Sequence, residues 1–339
     1  MSRPFLIKDI ALQAGVSIAT VDRLLNGRGG VRQHTSRRIE QAILELERQR
    51  QQIGLAGRKF ILDIVMEAPL RFSAAVRSAL EAEAPALHPA VFRSRYHLAE
   101  VRGATETVAL LDAIGRRGSN GVLLKAPDEP EVTLAVGRLV QKGIPVVTLV
   151  TDLPTSLRLA YVGIDNRAAG ETAAYLIGEW LGAGPASVLV TLSSNRFRGE
   201  EEREIGFRRA LRERYPQLSI VEVSEGNGLD RGTGELVREA LTRAPDIAGV
   251  YSIGGGNSAV LRAFEEAGRA CRVFVGHDLD ADNIALLRAR RLNAILHHDL
   301  RQDMRAACLH IMRAHGAIPA STALMTSNIQ VVTPFNLPG

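Results

Sequence analysis

Aromatic residues, cysteines and long apolar runs are all scarce in this chain of 339 residues. Phe, Trp and Tyr together make up only 4% of it, so its cores are expected to be aliphatic. The two cysteines, Cys271 and Cys308, show no CxxC or Cys/His spacing, which argues against a metal site. They are expected to be reduced, buried thiols, with a disulfide between them as the open alternative.

No uninterrupted apolar run approaches the ~18 residues that a membrane helix needs. The first residues, MSRPFLIKDIALQAGV, contain no apolar run long enough for a signal peptide. These absences predict a cytoplasmic protein that does not contact a membrane. Walker A, GxGxxG after a strand, HExxH and GxSxG are missing as well. We therefore expect no enzyme activity, no catalytic residue, no cofactor and no metal.

Positive charge is concentrated at the start of the chain. Residues 1–59 hold eleven Lys and Arg against five Asp and Glu, a net charge of +6. The whole chain carries +5, so the remaining 280 residues carry −1. A basic head on a nearly neutral body predicts a module that binds a polyanion, joined to a body with another task.

The first 50 residues show the spacing of three helices, at about 7–14, at 18–26 and from Thr35 or Ser36 onward. Gly15 permits a sharp turn after the first helix, and Ser17 can cap the second. Val21, Leu24 and Leu25 are expected to pack inward. Two short helices joined by a tight turn are typical of a helix-turn-helix, whose second helix enters the major groove.

Residues 7–26, IKDIALQAGVSIATVDRLLN, resemble the headpiece of the lactose-repressor (LacI) family, whose pattern is close to IxDVAxxAGVSxxTVSRVLN. A Gly-rich loop and Val31-x-x-x-Thr35 follow, as in that family. The resemblance implies a sequence-specific transcription regulator that binds double-stranded operator DNA. A three-helix unit without a DNA role is the alternative.

The resemblance also implies roles for residues of the second helix. Ile18 and Ala19 occupy the main specificity positions, and Arg23 matches a base-contacting arginine whose natural partner is guanine. Positions that touch phosphates are matched by Ser17, Thr20 and Asn26. Asp22 departs from the family's usual serine. Three interpretations of Asp22 stay open, which are orienting Arg23, accepting a hydrogen bond from cytosine and simple solvation.

Residues 51–59 are predicted to form a linker. The family usually has a hinge helix here, with an NxxARxL-like pattern whose leucine wedges into the minor groove. This chain has ELERQRQQIGLAGRK instead, so DNA kinking of the family type is not expected. Leu55 and Ala56 are the only candidates for a wedge.

From Phe60 onward, short apolar runs alternate with helical patterns, which predicts parallel sheets covered on both faces. This part resembles the type I periplasmic binding proteins. The expected fold is a small all-α headpiece, residues 1–58, and a doubly wound, two-lobed α/β domain, residues 59–339. The N-lobe is expected to span 60–160 and 291–322, and the C-lobe 161–290 and 323–339. Ligand is expected in the cleft between them.

Two segments supply the main cleft candidates. GEEEREIGFRRAL, residues 199–211, resembles the family's RxxGFxxAL, so Arg203 is expected to bind ligand hydroxyls or a carboxylate. A solvated charge on a polar helix is the alternative. Asp278, in FVGHD, resembles the family's GxD aspartate. Its alternative role is to cap a helix that begins at 281.

Weaker candidates follow other strands. The segment VGIDN resembles VGxDNxxAG, so Asp165 and Asn166 are expected to cap a helix and line the cleft mouth, or only to cap. Residues 254–256 are glycines that precede Asn257, at a place where relatives have an Asn-Asp pair. This difference leaves the family's usual ligand contact in doubt. It also allows a loop that binds phosphate. The remaining cleft candidates are Phe72, Lys125, Asp128, Asn195, His297, His298 and Asp299.

The resemblance implies a homodimer whose two headpieces bind a pseudo-palindromic operator. The effector is expected to be a sugar, polyol or sugar acid, and the regulated genes those of carbohydrate or sugar-acid metabolism, with repression as the expected action. A solute-binding protein or a sugar-modifying enzyme on the same two-lobed fold is the alternative.

Overall fold

The structure is a computed structural model that describes residues 5–55, 57–325 and 327–337, with the backbone alone for residues 48–55. It contains a helical headpiece followed by two α/β lobes. Within this described part, no helix is both long and apolar enough to cross a membrane. The predicted fold class, a helical headpiece with a doubly wound two-lobed body, is confirmed.

The headpiece consists of α1 (Ile7–Ala14), α2 (Ile18–Leu25) and α3 (Gln33–Leu55). Gly15 adopts the left-handed conformation, with φ of 61°, and turns the chain after α1. Ser17 caps α2, because its side-chain oxygen accepts a hydrogen bond from the amide of Thr20 at 3.2 Å. Both predictions are confirmed. The three helices share one small buried core, made of Ile10, Ala11, Ala14, Val21, Ile39 and Ala42.

Helix α3 corrects the predicted linker. It continues to Leu55, so residues 51–55 are helical. The reason is its composition, since Gln, Glu, Arg and Leu favour helix and no proline interrupts the segment. The side chain of Leu55 and the whole of Ala56 lie outside the described residues, so the wedge stays a prediction. Only residues 56–58 separate the helix from the first strand.

The first lobe is built on a parallel sheet with strand order β2-β1-β3-β4-β5. Helices cover both faces of this sheet. The strands are β1 (Lys59–Glu67), β2 (Val91–Ala99), β3 (Gly121–Lys125), β4 (Val146–Leu149) and β5 (Ala160–Val162), and the helices between them are α4 (Leu70–Glu83), α5 (Ala104–Arg117) and α6 (Pro130–Gln141), with a 3-10 turn at Ala84–Leu87.

The second lobe has a six-stranded sheet that is parallel except at β11. Its strands are β6 (Ala186–Thr191), β7 (Leu218–Val223), β8 (Ile247–Ser252), β9 (Val273–His277), β10 (Ala294–His297) and β11 (Gln330–Val332), in the order β11-β10-β9-β8-β6-β7. Its helices are α7 (Asn166–Leu181), α8 (Arg198–Arg214), α9 (Asp230–Arg243), α10 (Asn257–Glu266) and α11 (Ala281–Arg288). The last helix, α12 (Leu300–Ala314), packs into the core of the first lobe.

The predicted second crossing between lobes, near 291, is wrong. Strand β10 pairs with β9 through Ala294 and Val275, so residues 294–297 belong to the second sheet. The chain changes lobe between His297 and Leu300, where α12 begins. An apolar segment such as AILH fits the interior of either sheet, and nothing in its local sequence selects the pairing partner.

Helices α7 and α8 cross with their backbones in contact. A Cβ atom built on Gly170 would lie closer than 3.0 Å to the carbonyl oxygen of Arg203, and one built on Gly206 equally close to that of Arg167, a separation that real Cβ atoms essentially never show. The two glycines therefore allow a crossing that no larger residue permits. This crossing fixes the position of Arg203 beside α7.

Candidate functional site

The exposed face of α2 carries most of the predicted DNA-contacting residues. Ile18 is 58% exposed on this face. Ala19, Arg23, Ser17 and Asn26 are exposed on the same helix or at its ends, while Thr20 is half-buried beneath them. The helix thus presents a small apolar surface flanked by one arginine, which suits base edges in the major groove.

The side chain of Asp22 contacts Asn26 and Arg28. Its carboxylate accepts hydrogen bonds from the side-chain amide of Asn26 at 2.6 Å and from the guanidinium of Arg28 at 3.0 Å. The interpretation that Asp22 orients Arg23 is therefore wrong. The aspartate instead holds Arg28, from the Gly-rich loop, against the C-terminal end of α2.

A cleft lies between the two lobes, at the carboxyl ends of their strands. The space open to the centre of a water molecule is about 60 Å³. Its walls combine carboxylates, cations and a few apolar side chains, the main ones being Glu67, Arg71, Phe72, Glu100, Lys125, Ser193, Phe197, Glu200, Arg203, Asp278 and Asp280. Among the described residues, no group of three His, Cys, Asp or Glu is placed to hold a metal ion.

Arg203 extends from α8 into this cleft and is only 3% exposed. Its Nε donates to the side-chain oxygen of Asn166 at 2.8 Å. Its buried Nη2 has no hydrogen-bond partner within the described part of the chain. The solvated-charge interpretation is therefore wrong. A buried guanidinium with a free donor is equipped to bind an acceptor atom of a small molecule.

Asp278 lines the cleft in the left-handed backbone conformation, with φ of 66°. The cap of α11 is a different residue, Asp280, whose side chain accepts from the amide of Asn283 at 2.8 Å. The capping alternative for Asp278 is therefore wrong. Burial alone would raise the pKa of Asp278, but His298 and Arg203 outweigh it and hold the pKa well below its usual range. The carboxylate is thus ionised and can accept hydrogen bonds.

His298 does not line the cleft, contrary to its prediction as a ligand contact. It is 1% exposed and lies behind Asp278, with 3.6 Å between its Nε2 and the Oδ1 of that residue. Its Nδ1 is hydrogen-bonded to the carboxylate of Asp303. Burial would lower the pKa of His298, but the two carboxylates raise it to about 9. The imidazole is therefore positively charged at neutral pH.

Phe72 and Lys125 line the cleft as predicted, whereas Asn195 does not. The Asn195 side chain is exposed and donates to the hydroxyl of Ser224 at 3.2 Å. Ser193 and Phe197, two residues to either side, form that part of the wall. The chain turns after β6, and a turn of this kind decides which side chain faces inward, which strand alternation alone does not predict.

The other weak candidates have structural partners. Asp165 caps α7 and Asp299 caps α12, both through backbone amides. Asn166 is buried and joins Arg203 to the carbonyl of Val150, so it supports the cleft without lining it. Asp128 and His297 are also absent from the cleft lining.

The glycines at 254–256 accommodate an arginine. A Cβ atom on Gly255 would lie 2.5 Å from the Nη2 of Arg71, which extends from α4 of the first lobe. That nitrogen donates to the carbonyl of Gly228 at 2.7 Å, and the Nε of Arg71 lies 3.0 Å from Asp280. A cation beside a carboxylate fills this place, and the phosphate loop stays a prediction.

A second arginine bridges the lobes in the opposite direction. Arg196, from the second lobe, donates to Glu129 at 2.7 Å and lies 3.4 Å from Glu67, both in the first lobe. Sequence reasoning missed Arg71, Arg196 and Glu67, because their partners are far away along the chain. Together these two bridges join the lobes across the cleft.

Replacing Arg71 by alanine is expected to shift the ligand-free protein toward an open cleft. Truncating one member of a half-buried charged pair costs about 1–3 kcal/mol, or roughly 5- to 150-fold in the ratio of closed to open forms. Small-angle X-ray scattering should show a larger radius of gyration. Arg77→Ala is the control, since Arg77 lies on the same helix, is 54% exposed, and contacts Glu81 and the ring of Tyr96, both in the first lobe. Equal scattering from both variants would contradict the role of Arg71.

Comparison with known proteins gives two family matches. Residues 6–50 match the bacterial regulatory proteins of the lacI family, and residues 68–316 match the periplasmic binding protein domain. A comparison with curated proteins finds no match.

Solved structures with the same fold include GanP, a glucose-galactose binding protein from Geobacillus stearothermophilus. It is 22% identical, with a TM-score of 0.72, over 83% of this chain and 99% of that chain. A solute-binding protein from Agrobacterium vitis with bound D-fucose is 20% identical, with a TM-score of 0.70, over 82% and 96%. Another, from Actinobacillus succinogenes 130z with bound D-allose, is 17% identical, with a TM-score of 0.69, over 82% and 98%. At these identities the likeness establishes the fold.

Proposed function

We propose that this chain represses carbohydrate genes in response to a small effector. It belongs to the periplasmic binding protein domain family through residues 68–316, and its residues 6–50 match the lacI family of bacterial regulatory proteins. The observation that carries this proposal is the pairing of an exposed recognition helix with a cleft in which the buried Arg203 Nη2 has no hydrogen-bond partner among the described residues. The basic headpiece disfavours a solute-binding protein, which has no need to bind DNA.

The charges of the cleft favour a neutral effector. Five carboxylates line it, against three cations, with the His298 imidazolium behind them. A sugar acid or phosphate ester would enter a site without excess positive charge, at an electrostatic cost. The free oxygen of Asp278 can accept from a hydroxyl, and the free Nη2 of Arg203 can donate to one. We therefore propose a neutral sugar or polyol, a class that fits the sugars named for the structures above.

In this proposal the protein acts as a homodimer in the cytoplasm, with one headpiece on each half of an operator. The effector binds between the lobes and changes the balance of open and closed clefts, which the two arginine bridges already bias. Because binding of effector and of DNA depends on the same equilibrium, each changes the affinity for the other by the same factor.

A thermal-shift screen of the full chain tests the effector class. Neutral hexoses and polyols are compared with sugar acids of the same stereochemistry, such as D-galactose with D-galacturonate. A ligand at 100 times its Kd stabilises the folded state by about 2.7 kcal/mol. Stabilisation by neutral compounds alone is the expected result. Stabilisation by the acids alone would overturn the charge argument.

Replacing Arg23 by alanine is expected to weaken binding to the preferred operator by roughly 5- to 150-fold, which corresponds to the about 1–3 kcal/mol of one bidentate base contact. The operator is first selected from random duplexes, and affinity is measured at several salt concentrations, because phosphate contacts make it fall steeply with salt. Arg231→Ala is the control, since Arg231 is 91% exposed on α9 of the second lobe. Unchanged operator affinity in the Arg23 variant would count against the recognition helix.

A further inference from the structure

A line of four polar side chains runs from the cleft to the segments that connect the lobes. Asp278 follows β9 in the second lobe, His298 lies between β10 and α12, and Asp303 belongs to α12 in the first lobe. Ser327 lies in the segment between α12 and β11 and donates to Asp303. The inner three are almost completely shielded from solvent, with exposures of 1% for His298, 2% for Asp303 and 8% for Ser327.

The ring of His298 is placed between two carboxylates. Its Nδ1 is bonded to Asp303, and its Nε2 faces the Oδ1 of Asp278 at 3.6 Å. Neither that Nε2 nor that Oδ1 has a hydrogen-bond partner among the described residues. The two atoms therefore face each other as a charged pair, and this pairing fixes the orientation of the Asp278 carboxylate.

We propose that His298 is a positioning residue for effector binding. As an imidazolium anchored by Asp303, it keeps the Asp278 carboxylate ionised and directed into the cleft. Through Asp303 and Ser327, it also connects this carboxylate to the two segments, before and after α12, that join the lobes. The part of this inference that concerns the effector rests on the function proposed above, whereas the state of His298 and Asp278 does not.

The proton on Nε2 decides whether the arrangement holds. When the ring is charged, both nitrogens carry hydrogen and each faces a carboxylate. When it is neutral, the bond to Asp303 keeps the single proton on Nδ1, so a lone pair on Nε2 faces the charged Asp278. Repulsion between them then turns the Asp278 carboxylate out of position. Other charged or titratable groups act on this site, namely His277 and His297 beside it and Arg203 from α8.

The charged ring also makes stability depend on pH. The pKa of His298 is about 9 in the folded protein, against about 6.5 for an unperturbed histidine. Its contribution is therefore complete below pH ~6.5 and is lost as the pH rises through about 9. The Tm of the wild type should fall across this window more steeply than that of His298→Gln.

The test uses the full chain without effector or DNA. In protein labelled with nitrogen-15 at histidine, NMR should show the His298 ring doubly protonated at pH 7 and titrating near pH 9, with His298→Gln identifying its signals. Asp303→Asn should move this titration to lower pH. A ring that is singly protonated at pH 7 in the wild type would overturn the proposal.

Two neutral variants remove the charge of the ring, and each keeps one of its two hydrogen-bonding positions. His298→Asn keeps an amide near the place of Nδ1, and His298→Gln keeps one near the place of Nε2. In both, the carbon-13 titration of the Asp278 carboxylate should move up by more than one pH unit. Hydrogen exchange should also quicken at residues 298–300 and 315–325. A merely structural role would change Tm and leave the Asp278 titration in place, which would contradict the proposal. A failed sugar screen leaves these readings unaffected.

Discussion

Gly170→Ala is expected to lower the stability of the second lobe strongly. The added Cβ meets the carbonyl oxygen of Arg203 and the amide of Phe207. Both are backbone atoms of α8, so no side chain can rotate away and the helices must separate. Overpacking a tight contact costs about 3 kcal/mol at the upper end of the usual range, which corresponds to a Tm lower by roughly 6–12 °C.

Gly137→Ala is the matched control for this prediction. Gly137 also lies inside a helix, α6, but the nearest atom to an added Cβ is Leu157 Cδ1 at 4.0 Å. Alanine there should be neutral or stabilise the protein by up to about 1 kcal/mol through its helix propensity. Differential scanning calorimetry of both variants measures the contrast. Equal melting temperatures would show that α7 and α8 do not cross at the described distance.

Arg203→Met is expected to abolish the effector response while operator binding persists. Methionine keeps most of the buried volume and removes the charge. The loss leaves Asn166 Oδ1 without its arginine donor and Asp278 without one of the cations that keep it ionised. Truncating one member of a buried charged pair costs about 2–5 kcal/mol, which corresponds to roughly 30- to 5,000-fold in affinity.

Isothermal titration of the best compound from the thermal-shift screen measures this loss. Arg209→Ala is the control, because Arg209 lies on the same helix, is 68% exposed and forms its salt bridge with Glu213 on that helix. The melting curve and operator affinity of the Arg203 variant establish that it folds. Effector affinity within threefold of wild type in a folded variant would exclude Arg203 from the binding site.

The features that the sequence predicted well depend on short stretches of chain. The turn at Gly15, the cap at Ser17 and the exposed face of α2 each follow from neighbouring residues. The alternation of strands and helices in the body is equally local, and every predicted strand is present. Strands β2, β5, β7 and β11 were not predicted. All four lie at the edges of their sheets and are only partly buried, so they need no continuous apolar run.

The errors concern partners that meet only in the folded chain. The lobe of β10 depends on its pairing with β9, which an apolar segment does not specify. The sequence could not separate Asp278 from Asp280, because both follow the same strand within three residues. The glycines at 254–256 allowed a phosphate loop, because the neighbouring sequence does not show that the side chain of Arg71 lies against them. The burial of the His298 side chain likewise depends on its hydrogen bond with Asp303, a buried carboxylate on the next helix.

The length of α3 has a mechanical consequence. Its 23 residues extend about 34 Å, at 1.5 Å per residue. Only three residues lie between its end and β1, and such a tether spans at most about 10 Å. The headpiece is thus held close to the first lobe, and in the proposed homodimer the same holds for the second headpiece. Each headpiece can reach only a small volume around its attachment point. The spacing between operator half-sites should therefore follow the distance between the two attachment points on the lobes.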